Sequence, residues 1–147
     1  MQTFLPDPDF LKTAKYLDWR RLGKQRVETK QILNIVSNQT DKKGWRNHPA
    51  VLMWQGCDLA LAIYGLEMCK EWKKRGYVDN MTPFFENYLI ENKNRLIKYP
   101  EWIGNKEFHS CHRQTLLFKN YDWYIQFGWT EEPKYEYYWP VQKIESR

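Results

Sequence analysis

Glu28 is the lone carboxylate among the basic residues Arg20, Arg21, Lys24, Arg26 and Lys30. Cations hold a neighbouring carboxylate ionised, and an ionised carboxylate can take a proton or stabilise a cationic intermediate. Plain helix ion pairing uses the same residues, because Lys24 lies four and Arg21 seven positions before Glu28, near one helical face. Asp18, at the head of the stretch, is a second candidate carboxylate, and Arg26 a candidate to orient Glu28. Two further basic sets follow: Lys42, Lys43 and Arg46, and then His109, His112 and Arg113. Each set falls near a predicted helix start, where free N–H groups favour phosphate. A polyanion is therefore expected to meet Arg20, Arg21, Lys24, Gln25, Arg46, Asn47, His48, His109, His112 and Arg113. For the histidines, capping and core contacts are the competing reading.

His109 and His112 form a His-x-x-His pair with Cys111 between them. The Glu of a His-Glu-x-x-His motif is absent and acidic residues are sparse nearby, so no metal and no other cofactor is assigned. A metal-dependent nuclease using His48, His109 and His112 is a distinct reading, which predicts that a chelator abolishes activity.

Glu28 must be positioned by the helix predicted over Asp18 to Ser37. At roughly 100° per residue, Ile32, Leu33 and Val36 share one apolar stripe. Toward the N-terminus that stripe passes through Thr29, Gln25, Leu22, Arg21 and Asp18, with Arg26 and Glu28 on its margins. Unpaired buried charge is costly, so the polar end is solvated, paired internally, or turned toward a partner. Gly23 inside the helix costs about 1 kcal/mol relative to Ala. It marks either a close backbone approach to a ligand or a break near the helix start.

The remaining elements are also helical. Asp7-Pro8 predicts the cap and first position of an opening helix through Leu17. Asn47-His48-Pro49 predicts the start of a long central helix, with Lys73-Lys74-Arg75-Gly76 as its end. Thr82-Pro83 opens a further helix expected to run through Leu96 and stop at Tyr99-Pro100. Two short helices follow over Asn105 to Lys119 and Asn120 to Phe127, closed by Gly128. The tail from Glu131, with Tyr135, Tyr137, Tyr138 and Trp139, reads as an extended strap. No period-2 strand pattern appears. The expected fold is all-α: a single compact multi-helix domain over residues 1–147, around a long central helix, with an aromatic C-terminal strap.

Composition narrows the function. The 147 residues suffice for one domain with a sizeable core. Aromatics reach 17%, with eight Trp and ten Tyr, and such side chains stack on bases as well as filling cores. A net charge of +5 favours a polyanionic partner. Cys57, Cys69 and Cys111 are an odd set without a CxxC, and Cys57 and Cys69 sit in an apolar helical pattern. Buried thiols in a reducing compartment are the simplest expectation. The start, MQTFLPDPDF, lacks the charged region and apolar run of a signal peptide. No apolar stretch reaches membrane-spanning length. A soluble cytoplasmic monomer is expected.

Three strings carry a resemblance. They are Leu17-Asp18-x-x-Arg21-Leu22-Gly23-Lys24-Gln25-Arg26-Val27-Glu28, Gly44-Trp45-Arg46-Asn47-His48-Pro49-Ala50-Val51-x-Met53-Trp54, and Glu71-Trp72-x-x-Arg75-Gly76-Tyr77. With His109-Ser110-x-His112-Arg113 and the closing Trp139-Pro140, they resemble the shorter bacterial branch of the pyrimidine-dimer DNA glycosylase (endonuclease V-type) family. The resemblance implies an all-α enzyme that flips a nucleotide out of double-stranded DNA and cleaves the N-glycosidic bond of a damaged or modified pyrimidine. It implies a nucleophilic N-terminal α-amine that forms a Schiff base, an AP-lyase step by β-elimination, and a glutamate on the second helix with arginines around it. An ordinary α-amine keeps a useful neutral fraction near pH 7.

Two positions depart from that pattern. Gln2 is too large for routine methionine removal, so either Met1 supplies the amine or this route is absent. The residue after Arg20 is Arg21 rather than Glu, so Glu28 takes the carboxylate role on chemical grounds. The alternative from another class is a non-catalytic nucleic-acid-binding module that uses the same cationic groove and aromatics.

Overall fold

The structure, a computed structural model, describes residues 1–38, 44 and 46–140. Seven α-helices and one 3-10 turn are formed among the described residues, with no strand, so the all-α expectation holds. They are α1 (Phe10–Tyr16), α2 (Trp19–Val36), α3 (Pro49–Leu52), α4 (Asp58–Lys74), α5 (Thr82–Glu91), α6 (Lys106–Lys119) and α7 (Tyr121–Tyr124). The 3-10 turn at Ile125–Phe127 ends at Gly128, whose φ of 71° is the left-handed conformation that glycine tolerates. No helix among the described residues is long and apolar enough to cross a membrane.

α4 is the central helix, packed against α2, α5 and α1. Leu59, Ala60, Leu61, Ala62, Tyr64, Met68 and Cys69 are all buried along it. Gly65 lets α5 approach: a Cβ there would stand 2.4 Å from the Phe85 ring. Cys57, Cys69 and Cys111 are free and buried.

Helix boundaries differ from the expectation at three places. Asp9, not Asp7, caps α1, its side chain accepting from Lys12 N–H, while Asp7 accepts from the Asp9 N–H. The predicted long third helix is two helices. It breaks after Leu52 in a turn through Gly56 at φ 75°, which swings Trp54 into the core before α4 begins. α5 stops at Glu91, short of Leu96. The Asn92 side chain donates to the Tyr88 carbonyl in place of a continuing helix, and Arg95 turns back to form a two-bond pair with Asp58 at 2.8 and 2.9 Å. Leu96 is left 95% exposed.

Two extended segments complete the body. The N-terminal Gln2–Leu5 is buried throughout and threads between α2, α4 and α6. The strap lies along α6: Lys134 N–H donates to the Gln114 carbonyl, and Cys111 and Thr115 donate to the Glu136 carbonyl. The strap is as expected as far as Pro140, and the rest of the predicted tail lies outside the described residues. The buried N-terminal segment is unexpected, since its apolar Phe4-Leu5-Pro6 is too short to carry a periodicity.

Candidate active site

α2 explains its own mixed stripe. Leu22, Thr29, Ile32 and Leu33 face the core, and so does Gln25. The polar middle of the stripe is covered by the N-terminal segment rather than by solvent. Gln25 Nε2 donates to the Gln2 carbonyl at 3.0 Å, and Phe4 N–H donates to Gln25 Oε1 at 3.1 Å. A helix face that must hydrogen-bond an extended backbone needs amides, and the apolar stripe yields where that backbone lies.

Beyond Gln25 the same face opens into a pocket of about 360 Å³. Its floor is Met1, Gln2 and Phe4. α2 contributes Arg20, Arg21, Lys24, Gln25 and Glu28, while His48, Lys119 and the strap residues Tyr135, Tyr137 and Trp139 form the far wall. Glu28 is half-buried, and its Oε2 accepts from Gln2 N–H and from Gln25 Nε2, each at 3.3 Å. Tyr137 and Trp139 are stacked with centroids 5.6 Å apart, and Lys119 lies 5.1 Å over the Tyr135 ring. Four cations, an aromatic wall, one carboxylate and the N-terminus thus meet in one cavity.

His48 joins this wall through its own capping role. Its Nδ1 accepts from Ala50 N–H at 3.0 Å, which opens α3, and its ring meets Trp139 edge-on. Burial first, and then the positive N-terminus nearby, hold the imidazole below its ordinary range.

Several candidates fall elsewhere. Arg26 does not line this pocket but a neighbouring groove, which shares Arg20, Lys24 and Glu28 with it. It pairs with buried Asp79 at 3.2 Å and stacks over Trp72 at 4.6 Å, lining a shallow groove with Trp19 and Gly23. Gly23 is explained by the same ring: a Cβ there would stand 3.0 Å from Trp72. Asp18 is buried at the head of α2, where it accepts from the Tyr124 hydroxyl and from Arg21 at 3.1 Å. It braces Arg21 from behind and does not line the pocket. Arg46 and Asn47 are exposed outside the lining. Lys42 and Lys43 lie outside the described residues.

The His-x-x-His-Arg motif does not reach the groove either. His109 Nδ1 lies 2.8 Å from the Leu5 carbonyl, and its Nε2 accepts from Gly104 N–H at 2.9 Å. Those partners fix the proton on Nδ1. His112 Nδ1 accepts from Leu5 N–H at 2.8 Å. Arg113 donates to the Pro6 carbonyl at 2.8 Å and to Glu131. The motif grips both extended segments, and the histidines are core residues whose Nδ1 atoms both meet the Leu5 backbone. Burial pushes His112 down to about 3, and His109 is lowered for the same reason. Among the described residues no group of three or more His, Cys, Asp or Glu is arranged to hold a metal ion.

Sequence reading missed Gln2, Phe4, Lys119, Tyr135, Tyr137 and Trp139 as pocket residues. The strap aromatics were visible as a cluster, but nothing in the sequence sets the strap beside α2.

The molecule is thus a helical protein with a cationic pocket built around one carboxylate and the N-terminus. The chain belongs to the pyrimidine dimer DNA glycosylase family, whose model matches residues 1–84. That span holds the N-terminal and α2 sides of the pocket, while Lys119 and the strap wall lie beyond it. No curated protein and no solved structure matches the chain.

Proposed function

We propose that this protein excises a damaged pyrimidine from double-stranded DNA by drawing the nucleotide into the pocket between α2 and the strap. The observation that carries this reading is the contact of Glu28 with the N-terminal segment, Oε2 to Gln2 N–H at 3.3 Å, inside a cavity lined by Met1 and four cations. Arg20, Arg21, Lys24 and Lys119 are suited to phosphates, whose contacts position the duplex without reading sequence. Tyr137 and Trp139 offer faces on which an extruded base stacks.

In this reading the neutral Met1 amine attacks C1′ of the damaged nucleotide. The C1′–N bond breaks, its electron pair leaves with the base, and the base takes up a proton. Glu28 accepts a proton from the attacking nitrogen and stands opposite the cationic sugar. Opening of the furanose ring, with its oxygen protonated, leaves a Schiff base between Met1 and C1′. Loss of a C2′ proton then expels the 3′ phosphate by β-elimination, and water releases the amine.

Duplexes carrying a pyrimidine dimer, an abasic site or a modified pyrimidine test the reading, each with and without borohydride. Scission of the C1′–N bond together with a trapped adduct that maps to Met1 is the expected result; in a dimer the detached base stays joined to its neighbouring pyrimidine and is read as free base after photoreversal. Scission with no adduct between pH 6 and 9 would sink the Schiff-base step and leave a monofunctional glycosylase. No scission in either base-bearing duplex would sink the excision reading.

A further inference from the structure

We propose that Gln25 is the positioning residue of this site: its side-chain amide fixes Glu28 and the N-terminal segment relative to each other. The inference rests on the excision reading above. Gln25 is 1% exposed and is held by hydrogen bonds to its neighbours, so its influence runs through them.

Its orientation is determined by partners of fixed polarity. Phe4 N–H can only donate, and it points at Oε1 from 3.1 Å. Nε2 therefore occupies the other side, where the Gln2 carbonyl at 3.0 Å and Glu28 Oε2 at 3.3 Å are both acceptors. The Tyr64 hydroxyl lies 2.8 Å from Oε1 and 2.6 Å from the Phe4 carbonyl, its proton shared between them. Complete burial, reinforced by the charge of Glu28, raises the Tyr64 phenol well above its ordinary value, so it stays a donor. The amide thus uses both donors and both acceptor positions.

This arrangement divides the two oxygens of Glu28. Oε2 takes the Gln25 and Gln2 N–H groups, and Oε1 has no hydrogen-bond partner among the described residues. One oxygen anchors the carboxylate and the other is left for the pocket. A neutral amide does this without neutralising the charge, as an arginine in its place would. The same amide anchors Phe4 and Gln2, so one side chain sets the offset between carboxylate and N-terminus.

Gln25→Glu tests the role with a side chain of the same shape. Its carboxylate still accepts from Phe4 and Tyr64, but it turns an acceptor toward Glu28. At high pH the two carboxylates repel, and at low pH a shared proton restores one donor. Turnover of a lesion duplex is expected to fall about 30-fold at pH 8 with KM within about threefold, and the deficit to shrink below about fivefold at pH 5.5. Wild-type turnover at every pH would overturn the inference, as would a loss by one constant factor that tracks a lowered Tm.

Gln25→Leu supplies a readout that needs no activity. Exchange of the Phe4 amide hydrogen is expected to quicken at least about tenfold as its acceptor is lost. Unchanged exchange would overturn the inference on its own. A wild-type protein that cleaves no C1′–N bond in any lesion duplex, in which Phe4 exchange still responds to Gln25→Leu, would sink the excision reading while supporting the Gln25 arrangement.

Discussion

The guanidinium of Arg113 donates to the carbonyl of Pro6 at 2.8 Å, joining positions 107 residues apart in sequence. The same side chain holds Glu131 of the strap through Nε at 2.8 Å and Nη2 at 2.7 Å. One residue of α6 therefore fastens the N-terminal segment and the strap, the two extended pieces that face each other across the pocket. Its charge is spent inside the protein, on pocket geometry.

Arg113→Met keeps the aliphatic stem and removes these bonds. The loss of a charge-assisted contact with partners left partly buried is expected to cost about 1–3 kcal/mol, a fall in Tm of several degrees for a chain of this size. Turnover of lesion DNA should fall further than stability alone explains, because Met1 and the strap wall both lose their anchor. Calorimetry and single-turnover assays check this. Full activity in a destabilised variant would show that Arg113 matters to folding only.

Acid should loosen the N-terminal segment before it touches the carboxylates. Burial places His112 at about 3 in the folded state against 6.5 ordinarily. The unfolded chain then binds a proton below pH 6.5 that the folded chain refuses, so this contribution is complete above pH 6.5 and is lost as pH falls toward 3. Between pH 6.5 and 4.5 the loss is about 2–3 kcal/mol, and lowered His109 acts in the same direction. Asp58, Asp79 and Glu131 all have depressed values and begin to cost stability only at lower pH. Urea unfolding at half-unit pH steps reads the slope. Stability that is flat between pH 6.5 and 4.5 would contradict the assignment.

These contacts show which parts of the molecule were legible beforehand. α2 follows from the 3.6-residue pattern, and the basic run before Gly76 does end α4, with Gly76 at φ 93°. The break at Gly56 was not legible, because apolar residues continue on both sides of it and periodicity reports burial, not continuity. The polar stripe of α2 does run along the N-terminal segment and a pocket. Its partner was hidden, since a six-residue extended segment carries no pattern of its own. The histidine motif left two readings open, and the core one is found, for a related reason: a buried imidazole that bonds backbone and an exposed one that bonds phosphate have the same sequence signature. Only packing separates them.

Glu28→Gln separates the enzyme from a mere binding module. The amide retains an acceptor for Gln2 N–H and removes the negative charge. Turnover is expected to fall about 10²–10⁴-fold, the usual contribution of a positioned acid or base. Affinity for lesion DNA should hold or rise, because a repulsive charge leaves the groove. Unchanged turnover would make Glu28 a structural ion-pair residue.

Gly65→Ala probes the packing of α4 on α5. The added methyl would sit 2.4 Å from two atoms of the buried Phe85 ring, and neither helix can withdraw without opening the core. Overpacking of this kind costs about 1–3 kcal/mol. The pair Gly65→Ala/Phe85→Leu should recover part of it, and thermal melts of the three variants decide. Equal melting temperatures would mean that the ring has room to move.

The strap wall should discriminate damaged from intact DNA. Trp139 stacks on Tyr137 and is held edge-on by His48, which the α3 cap in turn fixes. Its face is therefore preset, and stacking a base on it costs little ordering. A base leaving the duplex gains about 1–3 kcal/mol from such a platform, whereas a fully paired duplex meets chiefly the cations of α2. Trp139→Ala is expected to weaken binding of a dimer-containing duplex by about 5- to 150-fold, with binding of the undamaged duplex changed by less than about threefold. Raising salt should weaken both duplexes alike, because the phosphate contacts are common to them. Titrations of the two duplexes at two salt concentrations separate these effects. Equal losses for both duplexes in Trp139→Ala would place the strap among the general backbone contacts and remove it from recognition of the extruded base.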